Sequence, residues 1–139
     1  MRFGVCCDTE RLPQLRKYGF DYVELNFSKI VLADQARFDQ LREQVRQSGM
    51  AAESFNGFFP ADMKLNGDVD YGRIRDYAET GFARARSLGG KVAVLGSGAA
   101  RKIPDGYDRS LAEEQFIKEM LSPMAPSRMS ASVSRFLEI

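Results

Sequence analysis

Histidine is absent from all 139 residues, and that absence excludes more chemistry than any residue present suggests. Histidine triads, Cys/His zinc centres and the side chain most often used as a base near neutral pH are all ruled out within this sequence. Cysteine is scarce. Cys6 and Cys7 are the two present, and as neighbours in a strand they would point to opposite faces. They are badly placed to bridge each other, so a reducing, cytoplasmic setting is expected. An excess of charge is missing too: Lys+Arg 20 against Asp+Glu 19 leaves a formal +1. Such a balance gives no electrostatic footing for nucleic acid or an anionic membrane surface. No uncharged apolar stretch approaches the ~20 residues of a membrane helix. The apolar run within residues 2–7 is too short for a signal peptide. A soluble protein with no nucleic-acid or membrane partner is therefore expected.

What is there has the composition of a globular domain, 44% hydrophobic and 28% charged, with enough chain for one core. Strand-like and helix-like segments alternate. Residues 2–7 read as a short strand, and 9–17 as a helix capped by Thr9 with Gly19 just past its end. Residues 20–26 are rich in aromatic and β-branched side chains and read as a second strand. Asp34 is placed to cap a helix reaching residue 47, with Phe38, Leu41 and Val45 as its apolar stripe. Residues 50–56 form a third strand, broken by Gly57-Phe58-Phe59-Pro60, and 61–69 a loop. A long helix over 70–88 carries Ile74, Tyr77, Ala78, Gly81, Phe82 and Ala85 along one side. Residues 91–95 form a fourth strand, followed at once by a Gly-rich loop over 96–101. Ser110 is predicted to cap one more helix, with Glu113 completing a capping box. Beyond it, residues 122–132 lack periodicity and read as loop, and 132–139 regain some strand character.

Strand–helix units in tandem imply a parallel sheet with crossover helices. Two architectures compete: a doubly wound open sheet, and part of a (β/α)₈ barrel. A whole barrel needs about 250 residues, so four units are about half of one. An open four-stranded sheet would need its edges blunted, and these strands carry no such protection. The expected fold is α/β: a partial (β/α)₈ TIM barrel of about four βα units over residues 1–121, with an irregular tail over 122–139. Strands one and four would lie at open edges, leaving the piece marginally stable unless it pairs with a second copy. Within such a barrel Cys6 and Cys7 are expected to be inert, one in the barrel and one under a helix.

The run 95–109, Leu-Gly-Ser-Gly-Ala-Ala-Arg-Lys-Ile-Pro-Asp-Gly-Tyr-Asp-Arg, resembles the loop after the fourth strand in sugar isomerases/epimerases of the xylose isomerase-like barrel superfamily. Residues 53–60 are similar to the end of their third strand, and 19–25 to the approach to their second. The resemblance implies a metal-assisted proton transfer beside the carbonyl of a small sugar or sugar phosphate. In the full-length family a divalent Mn²⁺, Mg²⁺ or Co²⁺ holds the substrate oxygens while two glutamates move the proton. The family's metal ligands, two glutamates, an aspartate and a histidine, come from the fifth strand onward. The expectation is thus an inactive fragment, a truncated or frame-shifted reading of a longer gene, that binds no metal alone. Glu138 is the candidate ligand, since it ends a strand-like stretch as the family's first glutamate ligand does. The alternative for Glu138 is a solvated carboxylate near a frayed terminus.

Four further residues are candidates for a sugar pocket. Asn56 and Phe58 stand where the third strand gives way to its loop, on the face where barrels bind substrate. Ser97 lies in Gly96-Ser97-Gly98, and Arg101 follows as a possible guide for an anionic group. Each has a plainer reading: packing against a neighbouring loop for Asn56 and Phe58, a conformational turn for Ser97, a solvated cation for Arg101. The turn lacks the lysine of a P-loop and the third glycine of a dinucleotide fingerprint. Glu24 and Glu53 alternate with apolar neighbours and are expected to have partners or water, because an unpaired buried carboxylate is costly. An alternative from another class is a non-catalytic half barrel whose two copies join sheet edges and bind a small molecule. A DNA-repair endonuclease, which shares the superfamily, would need a histidine-rich zinc site and a basic groove, and both are missing.

Overall fold

Val23 and Leu25 alternate with Tyr22, Glu24 and Asn26, a period of two that commits one face of a strand to the core. In the computed structural model, which describes residues 1–124 and side chains as far as 117, Tyr22–Asn26 is strand β2. It lies between β1 (Gly4–Cys6) and β3 (Ala51–Asn56), with β4 (Val92–Ala93) beyond β3. All pairings are parallel and the order is β1-β2-β3-β4, so β1 and β4 are the edges among the described residues, as expected of a partial barrel. Glu138 and residues 125–139 lie outside the described residues. The domain boundary expected at 121 falls inside the last described helix, which continues to Met124.

A register irregularity at Val23/Glu24 decides what β3 shows to each side. Ala52 pairs with Val23, but Ser54 rather than Glu53 pairs with Glu24. One extra residue therefore fits between two core positions, Ala52 and Phe55, and both Glu53 and Ser54 stay out of the core. The buried strand residues Val23, Leu25, Ala52, Phe55 and Ala93 join the helices in a single apolar cluster. Among the described residues the opposite face has no such cover. It carries Cys6, Glu24, Ser54, Asn56 and the exposed Val92.

The helices begin at side chains that accept their orphaned N–H groups. Asp34 Oδ1 accepts from Arg37 N at 2.7 Å to start α3 (Gln35–Ser48). Asp70 Oδ1 accepts from Arg73 N at 2.9 Å to start α4 (Tyr71–Ser87). Both starts are as expected, and Gly49, at φ 66°, closes α3. Other expectations need correction. Residues 9–18 form a 3₁₀ turn, a four-residue helix α1 (Leu12–Leu15) and a second 3₁₀ turn. Asp8 holds the cap position there, and Thr9 is buried. A helix that the sequence pattern does not announce, α2 (Phe27–Leu32), leaves β2 without an intervening loop. Asn26 ends the strand and caps the helix, accepting from Lys29 N at 2.9 Å. Ser110 caps nothing: Asp108 Oδ1 accepts from Leu111 N at 2.9 Å at the head of α5 (Arg109–Met124). Glu113 takes Arg109 Nε at 2.8 Å instead of reaching back.

Aromatic rings fill the core between α2 and α4. Phe27 stacks on Phe58 at 4.1 Å between centroids and meets Phe82 edge-on at 5.7 Å. Tyr77 donates to the Phe58 carbonyl at 2.6 Å, so its buried hydroxyl is satisfied. Gly81 lets α4 approach this closely, because a Cβ there would lie 2.3 Å from the Phe27 ring. Arg84 Nη1 binds the last carbonyls of α2, Ile30 O at 2.7 Å and Ala33 O at 2.6 Å, while its guanidinium covers Phe38.

At the opposite end of the uncovered face, Glu53 ties three strands together. Arg2 grips it through two nitrogens, at 2.8 and 2.6 Å, and Lys91 adds a third contact at 2.9 Å. The hydrogen bonds from Arg2, then those from Lys91, pull the Glu53 carboxyl from 4.5 down to about 2. A depressed acid stabilises the fold above its unfolded value, and that contribution is lost as pH falls from about 4.5 through about 2. The stability of the wild type should thus fall more steeply than that of Glu53→Gln across this window. Denaturation midpoints measured at several acid pH values check it, and parallel curves would refute the assignment.

Candidate functional site

The C-terminal ends of the strands bring together side chains that are far apart in sequence. Cys6 and Ser54 both pair with Glu24 in the sheet register, and Asn56 pairs with Asn26 one step nearer the strand ends. Glu24 is the hub of this corner. Its Oε2 accepts from Ser54 Oγ at 2.7 Å and its Oε1 from Asn56 Nδ2 at 2.7 Å. The same nitrogen of Asn56 donates to Cys6 Sγ at 3.0 Å. Glu24 has the partners expected of it, and so does Glu53. With one cysteine expected inside the barrel and the other under a helix, Cys6 is instead exposed, since no described residue covers this face, and Cys7 is half-buried, with burial raising its thiol pKa.

The sequence candidates do not all meet here. Asn56 does, as part of the hub. Phe58 does not: it is 2% exposed and stacked on Phe27, so the ring offers no surface to a sugar. Gly57, at φ 57°, turns the chain against Asn26 and sends Phe58 inward. Ser97 adopts φ 29°, an unusual conformation for a residue with a side chain. Its Oγ accepts from Phe59 N at 2.7 Å, so it fastens the loop after β4 to the loop after β3. Arg101 is exposed, and its guanidinium makes no hydrogen bond or ion pair among the described residues; its carbonyl accepts from Asn66 Nδ2 at 2.6 Å. The sequence implies partners for Glu24 but not which residues they are. The alternation Tyr22-Val23-Glu24-Leu25-Asn26 places Glu24 and Asn26 on the polar face, but the register irregularity that brings Ser54 opposite leaves no mark in sequence.

A second concavity lies outside the sheet, between the loop after β1 and helices α2 and α3. It measures about 450 Å³ and is floored by Leu25, Ile30 and Leu41. Ion pairs cross its rim, Lys29 to Asp8 at 2.7 Å and Arg37 to Glu10 at 3.0 Å. Its cations and anions already satisfy one another, so it presents no unmatched charge to a ligand.

The divalent cation implied by the family resemblance does not fit the described residues. No three of their Cys, Asp or Glu side chains are grouped so as to hold a metal ion. Cys6 and Glu24 each accept from the amide nitrogen of Asn56 instead of facing a shared cation position. No helix among the described residues is long and apolar enough to cross a membrane.

No protein-family profile and no curated protein matches the sequence. Among solved structures, the apo form of the 3-keto-D-glucoside 4-epimerase YcjR from E. coli is similar, with a TM-score of 0.60 at 13% identity. The match covers 86% of this chain and 49% of that one, so the chain spans about half the length of the epimerase. Likeness at that identity is a likeness of fold. The chain has the architecture of a partial (β/α)₈ barrel.

Proposed function

We propose that this chain is the sugar-binding half of an isomerase/epimerase-like barrel, with metal and proton-transfer groups contributed by a complementary half. The observation that carries this reading is the hub of Glu24, Ser54 and Asn56 on the uncovered face, beside the strand ends where barrels bind substrate. A sheet face meant only for solvent does not need a carboxylate with both oxygens committed to neighbouring side chains. Hydroxyl-rich ligands are recognised by such fixed acceptors and donors, a few per pocket. Because the described residues do not group around a cation, the chain alone should not move a proton next to a carbonyl. The purified chain is expected to give no epimerisation or isomerisation of a ketose in the presence of Mn²⁺, by a chiral chromatographic assay. Metal-dependent turnover that survives repurification would overturn the division of labour proposed between the halves.

A second reading is favoured by the open edges. Phe3 beside β1 is 56% exposed, and Val92 and Val94 at β4 are 48% and 46% exposed. Two copies related by a twofold axis would join β4 of each to β1 of the other and close an eight-stranded ring. Light scattering that returns a monodisperse dimer supports this reading, and a monomer removes it.

A further inference from the structure

The Asn56 side chain is held so that it can only accept. A carboxylate oxygen accepts, so the 2.7 Å contact with Glu24 Oε1 is made by the Asn56 N–H rather than by its carbonyl. The second N–H of that nitrogen is directed to Cys6 Sγ at 3.0 Å. Both donors of the amide are therefore committed. Oδ1 accepts no hydrogen bond among the described residues, and the half-buried side chain stands at the end of β3. Glu24 is in turn fixed from its other oxygen by Ser54 Oγ, so the amide cannot turn over without breaking the hub.

We infer that this corner selects a hydroxyl donor, one hydroxyl of a neutral sugar, over a phosphate or any other group that offers only acceptors. Glu24 acts as the positioning residue, setting the polarity that Asn56 presents without itself touching the ligand. A freely turning asparagine would serve a phosphate oxygen as readily through its N–H. The inference rests on the sugar-binding reading above and narrows it to an unphosphorylated group at this point of the surface.

The test is a pair of NMR titrations of the intact chain, following the Asn56 side-chain amide and carbonyl with D-fructose and with sulfate as an acceptor-only anion. D-Fructose should shift the Asn56 resonances saturably, and sulfate should leave them in place. Glu24→Ala frees the amide and should weaken fructose binding about tenfold, the loss of one well-placed hydrogen bond. Glu24→Gln can still accept from Asn56 through its amide oxygen and donate to Ser54, so it should retain binding within about threefold. That rescue keeps the test open should Glu24→Ala fail to fold. If fructose shifts other residues of the face but not Asn56, or if sulfate shifts Asn56 equally, this inference falls while the sugar-binding reading stands. If fructose shifts nothing, both fall.

Discussion

Truncation of Phe27 to alanine should cost roughly 3–5 kcal/mol of stability, the range for an aromatic ring removed from a packed core. Phe27 is fully buried and is the ring around which the others are arranged, with Phe58, Phe55, Tyr77 and Phe82 all within 6.2 Å of its centroid. Relaxation around the void is hindered on two sides. Gly81 has no side chain to move in, and Arg84 pins the end of α2 to α4 through the carbonyls of Ile30 and Ala33. A domain of ordinary stability, roughly 5–15 kcal/mol, would lose a large part of it. Chemical denaturation of the wild type and Phe27→Ala with a common slope measures the difference. A loss below about 1 kcal/mol would mean that the aromatic cluster is not the core described. Phe58→Ala should behave similarly, because its ring is core rather than pocket.

That misplacement of Phe58 shows where sequence patterns run out. An aromatic residue just past a strand end is placed equally well to line a pocket or to turn inward. The choice was made by Gly57, whose positive φ follows from the tertiary path against Asn26. Helices α3 and α4 were legible because each combines a long apolar stripe with an aspartate at its head. Helix α2 was not: six residues give too little periodicity, and the strand residue Asn26 supplies its cap with no loop to announce a boundary. At α5 two capping residues compete, and Asp108 prevails over Ser110 two positions later. The parallel order and the unpaired edges followed from four tandem units, since parallel neighbours require crossovers. Asn56 was found by its place at a strand end. Its partner Glu24 was visible only as a carboxylate in need of company, because contacts across 32 positions of sequence depend on register.

The two thiols are native probes of whether one sheet face is open. Cys6 and Cys7 are neighbours in sequence but meet different surroundings: Cys6 is exposed on the polar face, while Cys7 is half-buried against the core and its pKa is raised by that burial. Only a thiolate attacks a disulfide reagent, and access limits it further. In dilute native chain Cys6 should react with a small aromatic disulfide at least about tenfold faster than Cys7, and denaturant should remove the difference. A partner half or a second copy laid over the sheet should abolish the advantage of Cys6 without affecting Cys7. Time-resolved peptide mass spectrometry of the labelled chain resolves the two rates and so reports whether the sheet face is open. One fast and one slow thiol in the monomer is the predicted result, and two equally protected thiols in the monomer would contradict the half-barrel with its polar face open to a ligand.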